Sequence, residues 1–94
     1  MTSYIGSVSA VDQCPDGRTV FLAKDISVFA TKEKVAQAVG NALGVRTCIA
    51  MQFPGETKIT LGFAFRAKED LNKAITFIKE EIGKTIRTLD SAAA

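Results

Sequence analysis

The sequence predicts an α+β domain, a two-layer α/β sandwich with element order ββαββα, in which two helices cover one face of a four-stranded, largely antiparallel sheet. Three observations carry this reading. Segments rich in β-branched and aromatic residues come in two pairs, and each pair is joined by a turn containing Pro and Gly. Each pair is followed by a segment whose apolar residues recur at three- and four-residue steps, the spacing of one helix face. The connection between the halves is short, so both helices must cover the same side of the sheet. Ninety-four residues, 47% hydrophobic and 23% charged, hold one such domain and no second core. It spans 1–90, and the closing stretch 91–94 has nothing to anchor it and is expected to fray.

Taken in order, a first strand runs from Tyr4 to Val11, with Gly6 as a candidate bulge. It stops at Cys14-Pro15-Asp16-Gly17, where Gly17 suits a left-handed position. Thr19 to Ile26 returns as the second strand of a hairpin. Thr31 is placed to cap a helix over Lys32–Leu43, whose face is Val35, Ala38, Val39, Ala42 and Leu43 and whose terminator is Gly44. Gly40 inside it weakens the helix by about 1 kcal/mol relative to Ala and points to close packing. Arg46 to Phe53 alternates, with Thr47, Ile49, Met51 and Phe53 on one side and Arg46, Cys48, Ala50 and Gln52 on the other. Pro54-Gly55 fits the centre of a type II turn. In Ile59 to Arg66 the residues Ile59, Leu61, Phe63 and Phe65 face a core. Leu71, Ala74, Ile75, Ile78, Ile82, Ile86 and Leu89 then trace a long amphipathic helix, opened by Glu69 and Asp70.

Composition removes much chemistry. Histidine is absent, and with it the commonest acid/base group near neutral pH, every Ser-His or Cys-His nucleophile pair and most catalytic zinc sites. Two cysteines, Cys14 and Cys48, cannot form a thiolate metal site, and no Gly-rich phosphate loop or Asp-rich calcium loop is present. Glu80 and Glu81 are adjacent on a helix and so point apart. Cys14 stands in the first turn with neither a base nor an evident cation beside it, so a catalytic thiol is a minor reading. No catalytic residue, cofactor or metal is expected. With no secretory signal and no run of about 20 apolar residues, the expectation is a cytoplasmic protein with reduced thiols and no membrane association. A Cys14–Cys48 disulfide belongs only to an exported context.

With the core on the side of Ile59, Leu61 and Phe63, the alternation leaves Cys48, Ala50, Thr60, Gly62 and Ala64 on the opposite sheet face. Small residues in place of the usual charged alternation fit close approach by another molecule, or a loosely selected solvent face. Phe77 falls beside the stripe of the long helix, where it either widens the contact with the sheet or remains exposed as an anchor. The stripe itself serves core packing, with a helix–helix seam as the lesser use. These residues, Cys48, Ala50, Thr60, Gly62, Ala64 and Phe77, form the candidate interface. The expected function is a small non-enzymatic interaction module acting through protein–protein contacts, as a homodimer or with another protein.

The second expectation is a single-stranded nucleic-acid binder using Arg46, Lys58 and Arg66, from a basic set that also holds Arg18 and Lys24 and could cluster along one sheet edge, with Tyr4 or Phe21 as a stacking surface. Twelve Lys and Arg against ten Asp and Glu, a net charge of +2, permit this without demanding it. An enzyme built on Lys, Asp, Glu or Cys14 is a distant third. The stretch Ile59-Thr60-Leu61-Gly62-Phe63-Ala64, followed by Lys68-Glu69-Asp70-Leu71 and Lys73-Ala74-Ile75, resembles the end of the small domain of fold-type I PLP-dependent aminotransferases. Where that family places the arginine for the substrate carboxylate this chain has Thr60, and a cofactor domain has no room. The likeness is one of strand-then-helix pattern and implies no activity.

Overall fold

In the computed structural model, which describes residues 6–28, 30–67 and 70–93, the chain forms β1 (Ser7–Gln13), β2 (Thr19–Ile26), α1 (Lys32–Leu43), β3 (Cys48–Met51), β4 (Ile59–Phe65) and α2 (Leu71–Ala93). The strands make one open antiparallel sheet in the order β1-β2-β4-β3, with both helices on one side. The ββαββα sandwich read from the sequence is therefore the fold. The proposed strand residues Tyr4 and Ile5, and Glu69 before α2, lie outside the described residues.

Local chemistry explains the element boundaries. In the first turn Gly17 N–H donates to the Cys14 carbonyl, and Cys14 N–H donates to that of Arg18, closing a three-residue loop with Gly17 at φ 92°. At the start of α1 the Thr31 hydroxyl accepts from Lys34 N–H at 3.3 Å, and Gly44 ends the helix at φ 68°. The Phe53 carbonyl accepts from Glu56 N–H across Pro54-Gly55. The Asp70 carboxylate accepts from Lys73 N–H at 2.9 Å and caps α2. That helix continues to Ala93, so the stretch 91–93 expected to fray is its last turn. Gly6 is a place of close approach rather than a bulge. A Cβ there would stand 2.7 Å from that of Asp25, and the register shift of β1 falls between Ala10 and Asp12.

The core lies between sheet and helices. Phe21, Ala23, Leu61 and Phe63 from the central strands meet Val35 and Val39 of α1 and Ile78, Ile82 and Ile86 of α2. From Ala74 to Leu89 the stripe of α2 thus serves core packing, as its spacing implied, while Leu71 at its start is 47% exposed. Phe21 is fully buried and stacks at 6.1 Å on Phe63, which withdraws it from any base-stacking role. Tyr4, the other candidate for that role, lies outside the described residues.

Candidate functional site

Directly paired residues of an antiparallel sheet share a face, so the register decides what each side presents. Phe21 pairs with Phe63 and Cys48 with Phe63, while Ala50 pairs with Leu61. Cys48 and Ala50 therefore lie on the helix side, packed partly against the core. This corrects the assignment of both residues to the open face. The physical reason is α1, which runs close over the edge strand β3. Gly40 is buried there, and a Cβ on it would lie 3.5 Å from that of Cys48. Cys48 packs against that glycine, Ala50 borders a cleft of about 560 Å³ between α1 and β3, and the larger Ile49 and Met51 turn outward, 57% and 40% exposed.

The open face consequently differs from the bland patch expected. Thr60, Gly62 and Ala64 lie on it as anticipated, since they pair with Met51, Ile49 and Val20. Leu22, opposite Gly62, completes an apolar field across β2, β4 and β3. Gly62 is low because Leu22 reaches over it, and a Cβ there would come within 3.3 Å of the Leu22 Cδ2. A groove of about 360 Å³ runs above Gly62 and Ala64, flanked by Val20 on one side and by Ile49 and Met51 on the other. Toward β1 the face turns polar, with Ser9 opposite Leu22 and Ser7 opposite Lys24. The outward apolar residues of β3 could have been found in the sequence, because they alternate cleanly. Their direction could not.

At one end of the sheet the structure gathers arginines. Arg18 precedes β2, Arg46 precedes β3 and Arg66 follows β4, and the antiparallel order brings these three ends together beside the last turn of α1. They line one cavity of about 550 Å³ with Phe65 and Phe77. Asp16 organises part of it. Its carboxylate accepts from Arg18 N–H at 3.1 Å and from Arg18 Nε at 2.8 Å, and its backbone carbonyl accepts from Arg66 Nη2 at 3.0 Å. The Arg18 backbone N–H, followed by its guanidinium, holds the Asp16 carboxyl below its ordinary value. Lys58, grouped with Arg46 and Arg66 from the sequence, stands before the first residue of β4 while Arg66 follows its last. At roughly 3.3 Å per residue the strand puts about 26 Å between them. Arg18, from the same basic set, is the residue that joins Arg46 and Arg66.

Phe77 combines both roles weighed for it. One side of its ring stacks on Phe65, with centroids 6.0 Å apart and planes at 26°, yet the residue is 46% exposed. The two cysteines are free and belong to different parts of the sheet, Cys14 following β1 at one edge and Cys48 opening β3 at the other. Burial pushes the Cys48 thiol up to about 11. Among the described residues no group of three His, Cys, Asp or Glu could hold a metal, and no helix is long and apolar enough to cross a membrane. Compared with known proteins, the chain matches no protein-family model and no curated sequence.

Proposed function

We propose that the protein is a non-catalytic interaction module that pairs with a second copy of itself through the open sheet face. The observation that carries this is the shape of that face, which holds both a groove, above Gly62 and Ala64, and an exposed apolar ridge, Ile49 and Met51, beside it. Under a two-fold axis the same patch meets itself, so a surface with both a ridge and a groove can complement its own copy. An exposed Ile and Met that could have been exchanged for polar residues at no cost to the core have a reason to persist in such a contact.

The size of the face sets the strength of pairing. Three strands about 4.8 Å apart and five residues at about 3.3 Å each give an apolar field on the order of 250 Å² in projection. That is small beside the roughly 800 Å² per partner of a standard interface, so the dimer is weak and reversible. Sedimentation equilibrium from low micromolar to near-millimolar protein tests it. The expected result is a concentration-dependent monomer–dimer equilibrium, abolished by Ile49→Arg and by Ala64→Arg while circular dichroism retains the native fold. A chain that stays monomeric over the whole range, or dimerises equally well with either arginine in place, overturns the proposal.

A further inference from the structure

The arginine-lined end of the sheet has a charge balance unlike the rest of the molecule. Setting Arg18, Arg46, Arg66 and Asp16 aside from the twelve basic and ten acidic residues leaves nine of each. The three arginines that line this cavity, less Asp16 beside them, thus account for the whole net charge of +2. Asp16 pairs with Arg18 through its carboxylate, accepts from Arg66 through its backbone carbonyl with the Arg66 charge also helping to lower its carboxyl, and the Arg46 side chain makes no ion pair among the described residues. Clamping the first turn thus uses a single carboxylate, and two guanidinium charges are left over. The same cavity is lined by Phe77, half-exposed and stacked on Phe65.

Guanidinium groups match a phosphate in a fixed, planar geometry, and an exposed phenyl ring offers a stacking surface to another flat ring. A ligand that satisfies both within about 550 Å³ carries a phosphate and a planar ring side by side. We propose that this pocket binds a nucleotide, its phosphate held by Arg46 and Arg66 and its base stacked on Phe77. The site lies within one chain, so it stands whether or not the open face forms a dimer. The same chemistry is presented by a free nucleotide and by the phosphorylated end of a single strand.

Isothermal titration with AMP, adenosine, phenyl phosphate, and pentathymidylate with and without a 5′-phosphate decides the matter. AMP or the phosphorylated pentamer should bind saturably, and adenosine and the unphosphorylated pentamer much more weakly. The tighter of the two phosphorylated probes identifies the source. Arg46→Ala and Phe77→Leu should each weaken binding roughly tenfold, the cost of one charged hydrogen-bonding partner or one stacked base. Leucine at 77 keeps apolar contact with Phe65, and thermal unfolding confirms that either variant is folded. Added salt should weaken binding as the phosphate contacts are screened. The proposal fails if neither phosphorylated probe saturates at millimolar concentration, or if affinity is indifferent to Arg46→Ala and Phe77→Leu. It also fails if phenyl phosphate binds more tightly than both AMP and the phosphorylated pentamer, which would assign the pocket to a phosphorylated aromatic side chain.

Discussion

β3 and β4 are neighbours whose sequences alternate in the same way, yet they send their large apolar residues to opposite faces. In β4 the residues Ile59, Leu61 and Phe63 point to the helices and are 2%, 0% and 4% exposed. In β3 it is Cys48 and Ala50 that point to the helices, while Ile49 and Met51 stand in the open. The difference lies in position. β4 is inserted between β2 and β3, beneath the gap between two helices, where wide space calls for large side chains. β3 is an edge strand under a single helix that approaches closely at Gly40. Alternation thus identifies a strand, and the height of the layer above it decides which phase is buried.

Truncation in the two strands should separate most widely. Leu61→Ala empties a fully enclosed position and should cost about 2–5 kcal/mol in urea unfolding, whereas Ile49→Ala should change stability by less than about 0.5 kcal/mol in dilute monomer. Similar losses at both sites would mean that Ile49 is enclosed after all.

Arginine at the two alanines sharpens the same contrast. Ala50 packs partly against the core and borders the cleft beside α1, so Ala50→Arg must fit a long charged chain into that cleft and should lower stability by roughly 1 kcal/mol. Ala64→Arg projects from the open face and should leave the melting temperature nearly unchanged. Had β3 the opposite phase, the two substitutions would be equally tolerated.

The smallest effect is chemical. With its thiol pushed up to about 11 from an ordinary 9.0, Cys48 stays protonated near pH 8 and should alkylate slowly, its rate climbing as pH rises toward that value. Burial favours the neutral thiol, so its contribution to stability is complete below about pH 9 and fades as pH rises through about 11. Cys14 serves as the reference in peptide mapping after iodoacetamide treatment. If Cys48 reacts as fast as Cys14 at pH 8, its placement under α1 is wrong.

Much of the fold could be read along the chain because its signals are local. Thr31 and Gly44 bound α1 through hydrogen bonding to its own ends and a left-handed φ, and neither depends on what lies across the sheet. The turns at Gly17 and Gly55 follow the same logic, with φ of 92° and 84°. The candidate site was legible in part. Thr60, Gly62 and Ala64 can be placed on the open face from the sequence because the large residues of β4 fix its phase. Cys48 and Ala50 cannot, since small residues can serve either face. The sequence offers Arg18, Lys24, Arg46, Lys58 and Arg66 as one basic set and cannot say which of them meet, because strand order decides which ends coincide.

By itself, then, the sequence determined the elements, their caps and turns, the count of layers and the balance of charge, all of which depend on residues close in the chain. The tertiary structure decided which side of β3 meets the helices, which strands are edges and which three arginines converge. These are contacts between segments far apart in the chain, and they are set by the room left between layers once the whole core has closed.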